Sequence, residues 1–246
     1  MRGKRYKKMN YYIASCVFTT KYPELSFQIQ KYIRRRGDIS IVRCCVPKYK
    51  LKEFTEKLPE QFQHSWTQLP DSADFGEGDI VYSLCHNCSA IIDEWKTGVR
   101  VRSLWELIDE DEDFLLPDYN ETPMFVQDCW RAKDRTEEQD AVRSLMRKMN
   151  IRILEREDSR DRTEFCGISL YRPAPPRNLK LAPKRFVEGA AGKFEPHTEE
   201  EQRELMEAYV RDFHGEKVVS YCHYCQEGLL LGGADASHLA MLLFES

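Results

Sequence analysis

The chain carries one motif twice, and this repeat limits the folds that are open to it. Residues 79–88 read D-I-V-Y-S-L-C-H-N-C, and residues 217–225 read K-V-V-S-Y-C-H-Y-C. In both places an apolar run typical of a β-strand leads directly into Cys-His-x-Cys. A Cys-x-x-Cys pair is typical of a metal ion, a metal cluster or a redox-active dithiol, and one copy leaves these three readings open. The second copy predicts a chain built from two related halves.

Composition and the lengths of the apolar runs limit the roles that the cysteines can have. The chain has 246 residues, 41% of them hydrophobic, with a net charge of −4 that gives no general attraction to nucleic acid or anionic membranes. The last apolar run, His238–Phe244, is far shorter than the ~20 residues that span a bilayer. A lipoprotein signal ending at Cys16 is disfavoured because its apolar stretch is shorter than the ~7–15 residues of a signal core. We therefore predict a cytoplasmic protein without a transmembrane segment, whose nine cysteines serve metal or redox chemistry.

Strands alternate with amphipathic helices along both halves. In the first half we predict strands at residues 10–16, 39–45, 79–85 and 99–104, helices at 23–36, 51–58 and within 88–95, and a loop at 59–78. In the second half we predict strands at 124–129, 151–157 and 217–222, and a loop at 171–183. We also predict a helix at 136–150 that begins with a Thr136–Gln139 capping box. A further helix is predicted at 199–214, with Leu205 and Met206 facing inward.

This alternation predicts an α/β fold of two pseudo-repeated halves, each made of β-α-β units with a parallel sheet. The cysteine sites fall at the carboxyl ends of the strands, which is the edge where open α/β sheets bind ligands. We predict a basic tail at residues 1–9, a first half at 10–108, an acidic linker at 109–122 and a second half at 123–246.

The cysteines follow one order in both halves, with a single departure. The first half has Cys16, Cys44, Cys45, Cys85 and Cys88, and the second has Cys129, Cys166, Cys222 and Cys225. Phe165 stands where the first cysteine of the pair belongs, and Val46 follows the first pair where the second half has Gly167. Neighbouring residues on a regular strand point to opposite faces, so Cys44 and Cys45 are expected where their strand ends. By count, the four thiols of the second half suit Zn²⁺ and a cubane cluster equally, and the remaining alternative is that all nine are packing residues.

The cysteine order resembles that of the cysteine-rich CCG domain, which occurs twice in the disulfide-cleaving subunit of heterodisulfide reductase. Related copies occur in the iron–sulfur subunits of lactate, glycolate and glycerol-3-phosphate oxidation systems. The resemblance covers about residues 10–230. It implies a noncubane [4Fe–4S] cluster, serving as the reaction centre, on Cys16, Cys44, Cys45, Cys85 and Cys88. It also implies a [4Fe–4S] cluster or zinc on Cys129, Cys166, Cys222 and Cys225.

The function implied by the resemblance is that of an oxidoreductase subunit that reduces a small disulfide, or forms it in reverse. The sequence has no G-x-G-x-x-G, no Walker motif and no C-x-x-C-x-x-C run, so electrons are expected from an iron–sulfur or flavin subunit. One alternative is an electron-transfer subunit between a flavoprotein and a quinone or carrier. Another is a zinc-stabilised binding or assembly module without turnover.

Five further side chains stand next to the cysteines in the sequence. His86 and His223 lie inside the two Cys-x-x-Cys pairs, where they either tune a bound cluster through hydrogen bonds or are exposed residues at helix starts. Trp130, Tyr82 and Tyr221 are predicted to shield the sites from water.

Overall fold

A computed structural model describes residues 8–245, and its first sheet has four strands. These are β1 (Asn10–Ile13), β2 (Ile39–Val42), β3 (Ile80–Ser83) and β4 (Arg100–Ser103). They lie in the order β2–β1–β3–β4, and every pair is parallel. The helices of this half are α1 (Cys16–Lys21), α2 (Pro23–Arg36), α3 (Leu51–Glu56), α4 (Glu60–Gln68), α5 (His86–Trp95) and α6 (Leu104–Asp109). Residues 1–7 of the predicted basic tail lie outside the described residues.

The second sheet repeats this plan. Its strands are β5 (Pro123–Gln127), β6 (Arg152–Leu154), β7 (Lys217–Ser220) and β8 (Ala236–His238). Their order is β6–β5–β7–β8, again parallel throughout. The helices are α7 (Thr136–Lys148), α8 (Pro176–Leu181), α9 (Glu199–Val210), α10 (His223–Leu231) and α11 (Leu239–Phe244). The predicted fold class is thereby confirmed.

The order of the strands creates one crevice in each half. The chain runs from β1 to β2 on one side and then returns to β3 on the other side of β1. The connections leave the carboxyl ends of β1 and β3 in opposite directions, which is where open α/β sheets open a ligand crevice. The same geometry recurs between β5 and β7.

Helix α2 illustrates how the sequence sets the ends of an element. Pro23 occupies its first turn, where a missing N–H costs nothing, and Gly37 ends it at a φ of 75°. Leu25, Ile29 and Ile33 are buried at helical spacing and hold the helix against the sheet.

The two halves share one hydrophobic core. Tyr12 and Trp105 of the first half belong to the same buried cluster as Val126, Leu145 and Tyr221 of the second. Helix α6 packs against α7, and α2 packs against α11. The carboxyl edges of the two sheets are therefore held in a fixed relation. No helix between residues 8 and 245 is long and apolar enough to cross a membrane.

Four local predictions are wrong. The loop predicted at 59–78 contains α4, and the loop predicted at 171–183 contains α8. Thr136 is not a capping residue, because Gln139 donates instead to the carbonyls of Ala132 and Lys133. Leu205 faces solvent with 38% of its surface exposed, although Met206 beside it is buried.

Candidate metal centres

The five cysteines of the first half converge at the carboxyl ends of three neighbouring strands. Cys16 begins α1 just after β1, and Cys44 and Cys45 follow the end of β2, as the rule for adjacent residues predicts. Cys85 is the residue before α5, and Cys88 lies in the first turn of that helix. All five are buried. We call this set the first site.

The thiols of the first site form a chain of neighbours rather than one compact group. The Sγ atoms of Cys16 and Cys44 are 3.8 Å apart. Hydrogen bonding from Cys16 and Cys45 lowers the pKa of the Cys44 thiol to about 3. At the other end of this row of thiols, hydrogen bonding from Cys88 lowers the pKa of the Cys85 thiol to about 6. Hydrogen bonding to neighbouring sulfurs, together with burial, raises the pKa of Cys16, Cys45 and Cys88. Two of the five thiols therefore favour the thiolate, which is the form that ligates metals.

Hydrogen-bond donors without a partner lie beside these sulfurs. Tyr12 is fully buried, and burial together with Cys88 and Cys85 raises the pKa of its hydroxyl. That hydroxyl and Nη1 of Arg177 are buried without any hydrogen-bond partner among the described residues. A buried donor without an acceptor costs about 1–3 kcal/mol. A bound group with acceptor atoms within reach of these two donors would remove that cost.

The second site occupies the matching position in the other sheet. Cys129 follows β5, Cys222 precedes α10, and Cys225 lies in its first turn, while Cys166 comes from the segment after β6. The four sulfurs lie within 4.8 Å of one another. In the part of the chain that the structure describes, this is the one compact set of three or more such ligand atoms. These four buried cysteines could hold a metal ion or an iron–sulfur cluster.

In the second site, as in the first, hydrogen bonds between the thiols lower the pKa of some cysteines and raise the pKa of others. Burial opposes ionisation of Cys222, yet hydrogen bonds from Cys129, Cys166 and Cys225 lower the pKa of its thiol well below the usual value. Burial and hydrogen bonding to the neighbouring sulfurs raise the pKa of Cys129 and Cys225. The pKa of Cys166 is also lowered, against the effect of burial, by hydrogen bonding from Cys129, so two thiolates are favoured before any cation binds.

Gly167 explains how Cys166 reaches the other three ligands. Its φ is 54°, and a β-carbon there would overlap the carbonyl oxygen of Tyr224 in α10. Gly228 in the same helix leaves equally little room for a β-carbon against Gly167. The two glycines let the backbone after β6 lie directly against α10, which brings Cys166 to Cys225.

Phe165 occupies the position of the missing cysteine and makes packing and hydrogen-bond contacts there instead of ligating a metal. Its ring stacks on Tyr209 of α9 with centroids 4.0 Å apart and planes 9° apart. Its carbonyl accepts a hydrogen bond from the backbone N–H of Trp130 at 2.8 Å. This residue therefore anchors the loop that carries Cys166.

Arg131 supplies a buried positive charge to the second site. Its Nη1 donates to the sulfur of Cys166 and, at 2.8 Å, to Oγ of Ser169. The guanidinium is 2% exposed and lies within 6.0 Å of the ring centroids of Trp130, Phe186, Phe194 and Tyr224. No carboxylate within residues 8–245 forms an ion pair with it. A buried guanidinium requires a compensating anion, and the thiolates of this site provide it.

His86 connects the two sites. It follows Cys85 directly in the chain, yet its Nε2 lies 3.1 Å from Glu138 of α7, and its ring lies edge-on to Tyr221. Burial opposes its charge, but Glu138 and a hydrogen bond with Cys222 raise the pKa of this imidazole to about 10. His86 thus belongs to the first Cys-x-x-Cys pair and forms a hydrogen bond with Glu138 of the second half.

His223 is buried as well, and burial lowers its pKa to about 3. Both of its ring nitrogens lack a hydrogen-bond partner in the described part of the chain. Neither histidine is an exposed residue at a helix start, so that alternative is wrong. Trp130, Tyr82 and Tyr221 are buried, which is consistent with their predicted role as shields.

All nine cysteines were evident from the sequence, whereas the two arginines were missed. Arg177 has no neighbour in the sequence that suggests a site, and it lies in a segment predicted to be a loop. The cue for Arg131 was its position two residues after Cys129, where a cationic side chain turns toward the same edge. Comparison with models of known protein families, with curated proteins and with solved structures finds no match for this chain.

Proposed function

We propose that this chain is an iron–sulfur oxidoreductase subunit that resembles the disulfide-cleaving subunit of heterodisulfide reductase. In this proposal Cys16, Cys44, Cys45, Cys85 and Cys88 hold a noncubane [4Fe–4S] cluster at which a small disulfide is reduced. The observation that carries the proposal is the set of buried donors without partners around the first site, above all Tyr12 and Arg177.

The donors favour a cluster over a single ion. Thiolate ligands accept hydrogen bonds at either kind of centre, and the sulfides of an iron–sulfur cluster add further acceptors that a zinc ion does not supply. The spacing of the thiols supports the same choice. A tetrahedral ion with Zn–S bonds of about 2.3 Å needs its sulfurs mutually close, as in the second site. The chain of thiols from Cys16 to Cys85 suits a larger group.

The second site suits either a zinc ion or a four-iron cluster in this proposal. Four thiolates around a divalent ion, or around a cubane cluster, leave net negative charge. Arg131 offsets part of that charge, because its guanidinium donates to the sulfur of Cys166. Four neutral thiols would leave this buried cation without an anion.

The chain's own residues would prepare the reaction at the first site. A bound cluster would supply electrons one at a time, and the disulfide would take up two of them with two protons to become two thiols. Tyr12 would donate a hydrogen bond at the cysteine edge of the site, and the buried residues Leu84 and Ile91 keep bulk water from it. The electrons come from a partner, because the sequence has no flavin or nucleotide fingerprint.

The reaction is tested with protein purified under anaerobic conditions. A reduced viologen dye serves as donor, and cystine and oxidised glutathione serve as probe disulfides. We expect dye oxidation that depends on added disulfide, and no such reaction with protein from which the metal has been removed. Full iron and sulfide content without disulfide-dependent oxidation would contradict the reductase and favour the electron-transfer alternative.

A further inference from the structure

Arg177 lies at the first site although the second half supplies it. It belongs to α8, which packs against α5, the helix that begins with the first Cys-x-x-Cys pair. Its guanidinium stacks on Tyr49 at 3.8 Å from the ring centroid. Tyr49 comes from the loop after Cys44 and Cys45, so Arg177 is held between two parts of the first half.

The hydrogen bonding of Arg177 leaves one corner of the guanidinium unsatisfied. Nε and Nη2 both lie 3.3 Å from Oδ1 of Asn178. Nη1 is buried and has no partner within residues 8–245. Because an arginine offers five N–H donors in a rigid fork, the unused corner marks the direction of a missing acceptor.

The charge of Arg177 is stabilised by the first site. Burial opposes the charge, but Cys45 and Cys88, followed by Tyr49 and Cys44, raise the pKa of the guanidinium. Among the described residues, no carboxylate forms an ion pair with it. The same cation in turn favours the thiolate forms of Cys16 and Cys44.

We propose that Arg177 is an electrostatic partner of the first metal centre and that its charge sets the reduction potential of that centre. This inference rests on the proposed function, because it requires a redox-active group on the five cysteines. Reduction adds one electron, and hence one negative charge, to a buried group without breaking a covalent bond. A fixed cation beside the group stabilises the reduced form more than the oxidised form, so it raises the potential.

Two substitutions separate this role from a general effect of charge. Arg177→Gln removes the charge, whereas Arg177→Lys keeps it and loses the planar fork. Lys180→Gln is the matched control, since it removes one positive charge from an exposed position of the same helix. The readout is the midpoint potential of the first centre, followed by electron paramagnetic resonance during a titration with dithionite, together with iron and sulfide content.

We expect Arg177→Gln to disfavour reduction of the first centre by on the order of tenfold, which corresponds to about 59 mV for one electron. Arg177→Lys should shift the potential less, and Lys180→Gln should leave it unchanged. If Arg177→Gln loses iron from the first site while Arg177→Lys retains it, the charge is required there and the inference stands.

Three outcomes would overturn the inference. The first is an unchanged potential in fully loaded Arg177→Gln protein, and the second is an equal shift in Lys180→Gln protein. The third is loss of metal from both sites in both Arg177 variants, which would make Arg177 a residue needed for folding. A wild-type protein without any iron–sulfur signal would instead contradict the proposed function itself, so the two failures are distinguishable.

Discussion

The two halves of this chain share a strand order and differ at the position of one cysteine. In the first half Cys44 and Cys45 stand side by side before Val46, and in the second half Phe165 and Cys166 stand before Gly167. The first site is a chain of five thiols, and the second is a compact group of four. Two changes of residue, at the first cysteine of the pair and at the glycine, therefore accompany the difference between a chain of five thiols and a compact group of four.

The glycine and the paired cysteine act on different parts of the site. Gly167 lets the backbone after β6 lie against α10, so a single cysteine reaches the other three ligands. At the corresponding place in the first half, the chain continues through Lys48 and Lys50, both with positive φ, and its Tyr49 ring meets Arg177. The first half thus encloses its site with a side chain from the other half, and the second half encloses its site with its own backbone.

Among the substitutions that test this comparison, Cys45→Ala is expected to have the largest effect, which is on the iron and sulfide content of the first site. This substitution removes one of the two adjacent cysteines, of which the second half has only one, so the first site should lose its iron and sulfide completely. The second site should keep its metal, because Cys129, Cys166, Cys222 and Cys225 are untouched. Metal and acid-labile sulfide analysis of the purified variant checks this. Unchanged iron and sulfide would show that Cys45 is not a ligand.

A second test concerns the backbone contact of the second site. Gly167→Ala places a β-carbon against the carbonyl oxygen of Tyr224, at a residue whose φ is positive. We therefore expect the free energy of unfolding to fall by about 3 kcal/mol and the second site to lose its metal. Gly192→Ala is the control, because Gly192 has a similar φ of 73° with no atom within 4 Å. Urea unfolding should show a loss of about 1 kcal/mol for the control. Equal losses for both variants would refute the role of the close approach.

A third test removes the cation of the second site. Arg131→Met keeps much of the apolar volume among the aromatic rings but removes the donor to Cys166. We expect a decrease in metal affinity at the second site of about 10–100-fold, the range seen when groups that support metal ligands are changed. Competition with a chelator measures it, and Arg131→Lys should lie between the two. An unchanged affinity would mean that the thiolates do not depend on this charge.

The smallest effect is expected at Phe165. Phe165→Leu loses the stack on Tyr209 and should cost about 1 kcal/mol of stability while the metal content stays the same. Phe62→Leu is a matched control in the first half, since Phe62 stacks on Phe27 with centroids 4.6 Å apart. Thermal unfolding with metal analysis distinguishes the two. Loss of metal from Phe165→Leu alone would show that this ring positions Cys166 more strictly than the backbone does.

The fold and the nine cysteines could be predicted from the sequence because both depend on short-range patterns. Apolar runs that end in cysteine identify the strands β1, β3, β5 and β7 and the edge at which they stop. Capping was predicted less well. Thr136 and Gln139 have the spacing of a capping box but do not form one, whereas Ser103 and Glu106 form one at the start of α6 that was not predicted.

The features that could not be predicted depend on contacts between distant residues. His86 pairs with Glu138, and Arg177 stacks on Tyr49, only because residues of both sheets pack in one hydrophobic cluster. Hydrophobic periodicity says nothing about how one half is turned relative to the other. The same limit explains Leu205, whose helical spacing fits an inward face that the neighbouring elements do not cover.

The decisive measurement is the iron, zinc and acid-labile sulfide content of the wild-type protein purified without oxygen. We expect about four to eight irons per chain with a similar amount of sulfide, the loading of one or two four-iron clusters. A loading near four, accompanied by one zinc, would place the cluster in the first site and zinc in the second. Zinc alone without sulfide would contradict the proposed function, because zinc has no redox chemistry with which to reduce a disulfide.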